Sequence, residues 1–162
     1  MTDEVRRQRG QALAAPGRRQ ATQVGEPCLT VLLSRTRVGF YLKALAGVFV
    51  AQNLTPLPGS EPELLGLVQH QGRLHPVFSL ARLLGRTQAP LGQRVTILLL
   101  RHPHSEIGLA VDELGDFLEL RPEQLRAPTP GEAAVQALTG DGVAVLDAAK
   151  LLAHRIFTGQ AP

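Results

Sequence analysis

The side chains of this 162-residue chain best suited to chemistry are its histidines, its serines and one adjacent acid pair. His70 and His75 flank Gly72, and His102 and His104 are separated by Pro103 on a turn. Either pair could touch a metal. Zinc sites draw on three or four protein ligands, and neither pair has carboxylates or thiols at useful spacing, so a surface-turn reading is favoured. Ser34, Ser60, Ser79 and Ser105 lack the strained strand-to-helix turn that activates a nucleophilic serine. No glycine-rich loop followed by Lys and Ser or Thr offers a phosphate cradle. Asp112-Glu113 could form an acid pair, but adjacent side chains of an extended segment point to opposite faces. The pair reads as a solvated bend, with an acidic contact for a partner's Arg or Lys as the sharper alternative. The expectation is a protein that is not an enzyme and that holds no cofactor and no metal.

Any such groups must be positioned by the elements around them, and residues 63–85, ELLGLVQHQGRLHPVFSLARLLG, form the clearest unit. The pattern predicts a strand over 64–68, a reversal at Gln71-Gly72, a return strand over 73–78 and a leucine-rich helical turn over 80–84, stopped by Gly85. Glycine accepts positive φ without steric penalty, which makes Gly72 the natural reversal point. Pro76 has no N–H, so its strand should have an open edge or a bulge there. The unit recurs. With an offset of 68 residues PVFSLARLLG (76–85) lies over AVLDAAKLLA (144–153), and Gly72 falls on Gly140. An offset of 69 lays VGFYLKAL (38–45) over IGLAVDEL (107–114), and TVLLSR (30–35) lies over TILLLR (96–101). Four blocks in the same order predict two related halves.

Composition narrows the function classes. A hydrophobic content of 44% suits a globular fold. The absence of Trp, with five Phe and one Tyr, makes the core aliphatic and argues against a surface that reads bases by stacking. The net charge of +3 is unevenly placed: residues 1–26 carry five arginines against three acids, leaving 12 basic and 11 acidic groups elsewhere. The leader reads as a disordered basic arm and the folded part as nearly neutral. Cys28 is the single cysteine, so no intrachain disulfide or Cys-rich metal site forms. The leader lacks the apolar core of a signal peptide, and the longest apolar runs, such as 97–100, are too short to span a bilayer. Cytoplasm, without membrane insertion, is the expected location.

Along the chain, strands are expected from Cys28 to residue 33, from Val38, over 48–51, in the unit above, over 95–100 and from Ile107. The apolar run at 95–100 predicts a strand buried on both faces. Residues 112–116 should bend the chain before a strand over 117–120, and Pro122 should open a short helix. The last hairpin pairs 134–138 with 143–146 through Asp141-Gly142, and a closing helix over 150–157 turns Leu151, Leu152 and Ile156 inward. About ten short strands with regular turn signals indicate an all-β barrel or sandwich, and the repeat suggests two small barrels.

From Cys28 to the C-terminus the ordered set VGFYLKAL, TPLPGSEPELLGLV, GRLHPVFSLARLLG, IGLAVDEL, FLELRPEQLRAP and GVAVLDAAKLL resembles CheW, the bacterial chemotaxis coupling family. The resemblance implies an all-β, CheW-like fold: two small five-stranded barrels of the Src-homology-3-like kind sharing a hydrophobic core. Residues 1–26 would be the arm and 27–162 the domain, with barrels over about 34–90 and 91–157 and a first strand open to sharing between them. It also implies an adaptor that bridges chemoreceptor cytoplasmic tips to the regulatory domain of the histidine kinase CheA, in flagellar chemotaxis or a related motility array. The implied groove and edge positions are Leu42, Leu45, Gly66, Gln71, Gly72, Gly108, Val111, Asp112 and Leu114. On that reading Leu45→Arg should abolish partner binding and leave the fold intact.

The chain departs from the family pattern at polar positions. Gln69-His70-Gln71-Gly72 stands where the family has Asn-Leu-Arg-Gly, which removes a charged fork from the receptor-facing turn. Ser79 replaces an Asp, and Gly47 a frequent Glu. The competing reading is a small-barrel nucleic-acid-binding module using the basic arm; the neutral folded part and missing stacking aromatics weigh against it.

Overall fold

The computed structural model describes residues 25–102 and 106–153, in which the chain forms eleven strands and two short helices. The first half supplies β1 (Glu26–Leu33), β2 (Thr36–Tyr41), β3 (Leu45–Ala51), β4 (Leu64–His70) and β5 (Arg73–Ser79), then α1 (Leu80–Leu83). The second supplies β6 (Val95–Leu100), β7 (Ile107–Val111), β8 (Glu113–Leu120), β9 (Leu125–Arg126), β10 (Val135–Thr139) and β11 (Ala144–Leu146), then α2 (Ala148–Leu152). Single 3-10 turns at Leu42–Ala44 and Pro122–Gln124 join β2 to β3 and β8 to β9. Proline at the first position of the second turn has no N–H to satisfy there.

The strands form a five-stranded sheet in the order β3-β6-β7-β5-β4 and a six-stranded sheet in the order β8-β1-β2-β11-β10-β9. Matching β1 to β6, β2 to β7, β3 to β8, β4 to β10 and β5 to β11 turns one order into the other, with β9 as the addition. The related halves announced by the sequence blocks thus have matching strand orders. Register agrees for three of the blocks, since Val77 pairs in parallel with Gly108 in one sheet and Val145 with Gly39 in the other. Gly39, however, pairs with Thr30 and Gly108 with Leu99, so TVLLSR and TILLLR lie three residues out of the expected register. A bulge interrupts β4·β5 between Leu64 and Gly66, and another interrupts β10·β11 between Val135 and Ala137. Both helices start on a side-chain cap: the Ser79 hydroxyl accepts from the Arg82 N–H, and Asp147 accepts from the Ala149 and Lys150 N–H groups.

Neither sheet is built from one half. The hairpin β6–β7 lies with β3, β4 and β5, while β1–β2 lies with the second-half strands. Sheet membership therefore does not follow the division of the chain near residue 90. The parallel pairings β5·β7 and β2·β11 tie each hairpin to the other half.

Three apolar clusters follow from strand alternation. Val77, Ile97 and Ala110 line the inside of the five-stranded sheet with Val68 and Val95. Cys28, Leu120, Ala137 and Val145 line the inside of the six-stranded sheet. The intervening residues, among them Val31, Phe40, Leu98, Leu100 and Leu109, form one large cluster shared by both. A flat sheet would hold β3 and β4 about 19 Å apart, four strand spacings. Phe49 on β3 and His70 on β4 instead stack with ring centroids 3.7 Å apart, so this sheet is strongly curled.

Three local expectations change. β8 is continuous over Glu113–Leu120, because a bulge at Gly115-Asp116 absorbs the expected bend. Pro76 sits in an interior strand, where the β7 ladder starts only at Val77, so no ladder donor is lost. α2 runs over Ala148–Leu152 with Leu151 buried, and the expected helical residues from 154 onward lie outside the described residues, as does the arm before residue 25.

Candidate functional site

The nine expected positions separate into three groups. Leu45 and Val111 are buried in the shared cluster, 7% and 6% exposed, with half-buried Leu42 packed against it. Leu45 is therefore a core residue, and Leu45→Arg would place a charge in the core and unfold the site it was meant to probe. Gly66 and Gly108 are also buried, for steric reasons. A Cβ at Gly66 would lie 2.6 Å from the Thr55 carbonyl oxygen, where Thr55 bridges Leu67 outside β4. At Gly108 it would lie 3.0 Å from Ile97 and 3.2 Å from Val77.

The remaining four are at the surface. Gln71 and Gly72 form the β4–β5 turn, with φ of 52° and 79°. This is the left-handed pair of a type I′ turn, in which Gln71 adopts a conformation that favours Gly or Asn. Asp112 links the sheets: its carboxylate accepts from the Ser34 N–H at 2.6 Å, in the β1–β2 turn, and its own N–H donates to Leu32. Leu114 is the second residue of β8 and is 43% exposed.

Register shows what Leu114 belongs to. It lies opposite Val31, and Phe117 lies opposite Leu29, with Gly115 and Asp116 forming the bulge between. Cross-strand partners point to the same side, so Leu114 and Phe117 continue the face of Leu29 and Val31, both members of the shared cluster. The Thr30 hydroxyl donates to the Asp116 carbonyl at 2.9 Å and fixes the bulge. β3 repeats the device. Leu45 lies opposite Leu100 and Val48 opposite Leu98, with the register shift between Leu45 and Gly47. Both edge strands thus carry the shared apolar face out to solvent, ending on Val48 and Val50 in β3 and on Leu114 and Phe117 in β8. Phe117, Val48 and Val50 were missed in the sequence because a bulge hides the alternation that would have placed them.

The polar candidates do not converge. His70 is stacked on Phe49, and buried His75 lies 3.4 Å from the Glu106 carbonyl through Nδ1. His104 lies outside the described residues. Among the described residues no group of three or more His, Cys, Asp or Glu could hold a metal ion. Burial pushes the Cys28 thiol up to about 11, which leaves it a poor nucleophile. Tyr41 is also raised, by burial first and then by Glu26 and Cys28. A cavity of about 500 Å³ between α1 and α2, floored by Val38, Ala144 and Leu146, is lined mainly by apolar groups with Arg86, Glu132 and Lys150 at its rim. Among the described residues no helix is long and apolar enough to cross a membrane.

Fold and surface together define the class: an all-β domain of two sheets around a shared aliphatic core, whose distinctive surface is a pair of exposed apolar edges. Residues 27–155 match the CheW-like domain, and the chain belongs to that family. It is 20% identical over 109 residues to the chemotaxis protein CheW of Bacillus subtilis strain 168, covering 67% of this chain and 70% of that protein. Its structure is similar to that of the scaffolding protein TtCheW from Thermoanaerobacter tengcongensis, with a TM-score of 0.68 at 16% identity over 76% of this chain and 89% of the other.

Proposed function

We propose that this chain is a non-enzymatic chemotaxis coupling adaptor of the cytoplasm, joining chemoreceptor cytoplasmic tips to the regulatory domain of the histidine kinase CheA. The observation that carries the reading is the paired edge strands, which bring the shared apolar face to solvent at Val48 and Val50 on one side and Leu114 and Phe117 on the other. An amphipathic receptor helix with apolar anchors at every third or fourth residue suits such a surface. Sheet edges and the exposed β4–β5 turn are left for barrel-to-barrel contact with the kinase domain. Membership in the CheW-like family and the similarity to a chemotaxis protein and to a scaffolding protein support the reading.

The polar departures bear on it unequally. Ser79 keeps the helix-capping hydrogen bond that an Asp would make, as Asp147 does at the equivalent place. Gln71 cannot supply an Arg's charged fork, so the turn offers less to an acidic receptor group. The deciding experiment is a calorimetric titration with the CheA regulatory domain of the same organism, repeated with a receptor-tip fragment present. Kinase binding strengthened by the tip is the expected result. Kinase binding without any effect of the tip reduces the protein to a scaffold that does not couple, and binding to neither overturns the proposal.

A further inference from the structure

Apart from the two-residue β9·β10 ladder, every strand pairing that turns a hairpin into a sheet crosses between the two halves of the chain. Within residues 25–87 the ladders are the hairpins β1·β2 and β4·β5. Within residues 93–153 they are β6·β7, β10·β11 and the short β9·β10. The four others, β1·β8, β2·β11, β3·β6 and β5·β7, each join a first-half strand to a second-half strand. The shared cluster is built the same way, Val31 and Phe40 packing with Leu98, Leu109 and Leu146. By contrast, the covalent connection at 88–92 contains no strand and no helix, places no residue in the shared cluster, and carries Pro90 and Gly92. Each half is thus a complete binding surface for the other, held by a tether that takes little part in the interface.

We propose that a second copy of this chain is a partner through exchange of halves, residues 25–87 of one copy pairing with residues 93–153 of the other, and the reverse. The exchange remakes all four ladders and the shared cluster in both units, so only the tether changes conformation. The tether gives the two halves of one chain a high effective concentration for each other, so the monomer dominates in dilute solution and the exchanged dimer grows with concentration. This goes beyond the adaptor reading, since it gives one particle two complete sets of edge strands.

The test uses the full chain carrying Val50→Cys and Thr96→Cys, cross-strand partners on β3 and β6. The protein is refolded from denaturant at low micromolar and at millimolar concentration, separated by size, oxidised and run on a non-reducing gel. The monomer peak should give a single-chain band. The dimer peak should grow with concentration and give a covalent two-chain band, because each new disulfide then joins different molecules. Deleting residues 89–92 should raise the dimer fraction at equal concentration; if that variant fails to fold, the undeleted chain decides the matter. A dimer peak whose disulfides stay within single chains, or refolding at millimolar concentration that yields monomer alone, overturns the proposal.

Discussion

β3 and β8 occupy equivalent edges of the two sheets and carry the same bulge, yet they leave different things open. Leu45 and Leu114 correspond, as do Val48 and Phe117, but Leu45 is 7% exposed where Leu114 is 43%, and Val48 is 40% exposed where Phe117 is 69%. The first-half edge is drawn in. Its approach is bonded to the second half through the Arg101 N–H and the Ala44 carbonyl, and Phe49 is held against His70. The second-half edge has only Leu120 buried along its eight residues. The repeated frame therefore presents two edges, and the difference in cover makes β8 the more available of them.

The largest way to test the equivalence lies in the bulged hairpins. Gly66 and Ala137 hold the same place after the bulges in β4 and β10, and their outer neighbours also correspond, since Thr55 bridges Leu67 as Arg126 pairs with Leu138. The Thr55 carbonyl occupies the space of a Cβ at Gly66, whereas Ala137 already carries one. Gly66→Ala should lower stability by about 3 kcal/mol in urea denaturation, since backbone must shift in a packed site. Ala137→Gly should cost only about 1 kcal/mol. Equal losses would break the comparison.

The six-stranded sheet buries a thiol. Cys28 packs with Leu120, Ala137 and Val145 inside that sheet, while the apolar cluster inside the five-stranded sheet is built from Ala, Val, Ile, Leu and Phe, with buried His75 opposite Val68. The folded thiol ionises near 11 against 9.0 for an unburied one. The unfolded chain thus loses its proton first as pH rises. Stability from this group is complete below pH 9, falls between pH 9 and 11, and amounts to about 2 to 3 kcal/mol. Denaturation midpoints measured across that window should fall in the native protein and fall much less in Cys28→Ala, where the smaller contribution of Tyr41 remains. A parallel decline in both would remove Cys28 from the account.

At the edges, Leu114→Arg should weaken receptor-tip binding tenfold or more, about 1.4 kcal/mol, with an unchanged denaturation midpoint. Val48→Arg should weaken it less. The reverse order would assign the binding edge to β3.

What was legible in the sequence was the part that alternation and turn chemistry write directly. The apolar run at Val95–Leu100 is a strand buried on both faces, the Gln71-Gly72 reversal is a two-residue hairpin turn, and the repeated blocks fall on matching strands, with TVLLSR over TILLLR alone shifted by three residues. Two things were not legible. Interlocking of the halves depends on pairings between residues such as Val77 and Gly108, whose side chains pattern the same way whichever half they join. The surface was misjudged wherever a bulge intervened, because one extra residue reverses the facing of all that follows. Leu45, expected at the groove, is 7% exposed within the shared cluster, and Phe117, expected to start a new strand, is 69% exposed in the middle of β8.

The smallest difference is the best probe of how the sheets are held in shape. The six-stranded sheet gains β9 beyond β10, a ladder of two residue pairs. At the corresponding margin of the five-stranded sheet there is a single bridge at Thr55, and the rings of Phe49 and His70, stacked with planes 5° apart, hold β3 to β4. A stacked pair contributes about 1 kcal/mol beyond its buried area. His70→Ala should therefore lower overall stability by about 1 kcal/mol, while His70→Phe should restore it. The informative readout is amide hydrogen exchange. If the rings hold the curl, amides of β3 and β4 should exchange faster in His70→Ala while those of β8 and β10 keep their rates, because local opening is confined to elements that lose their contacts. Faster exchange in both sheets alike would mean that curvature is set by the shared core, with the rings merely resting on a shape determined elsewhere.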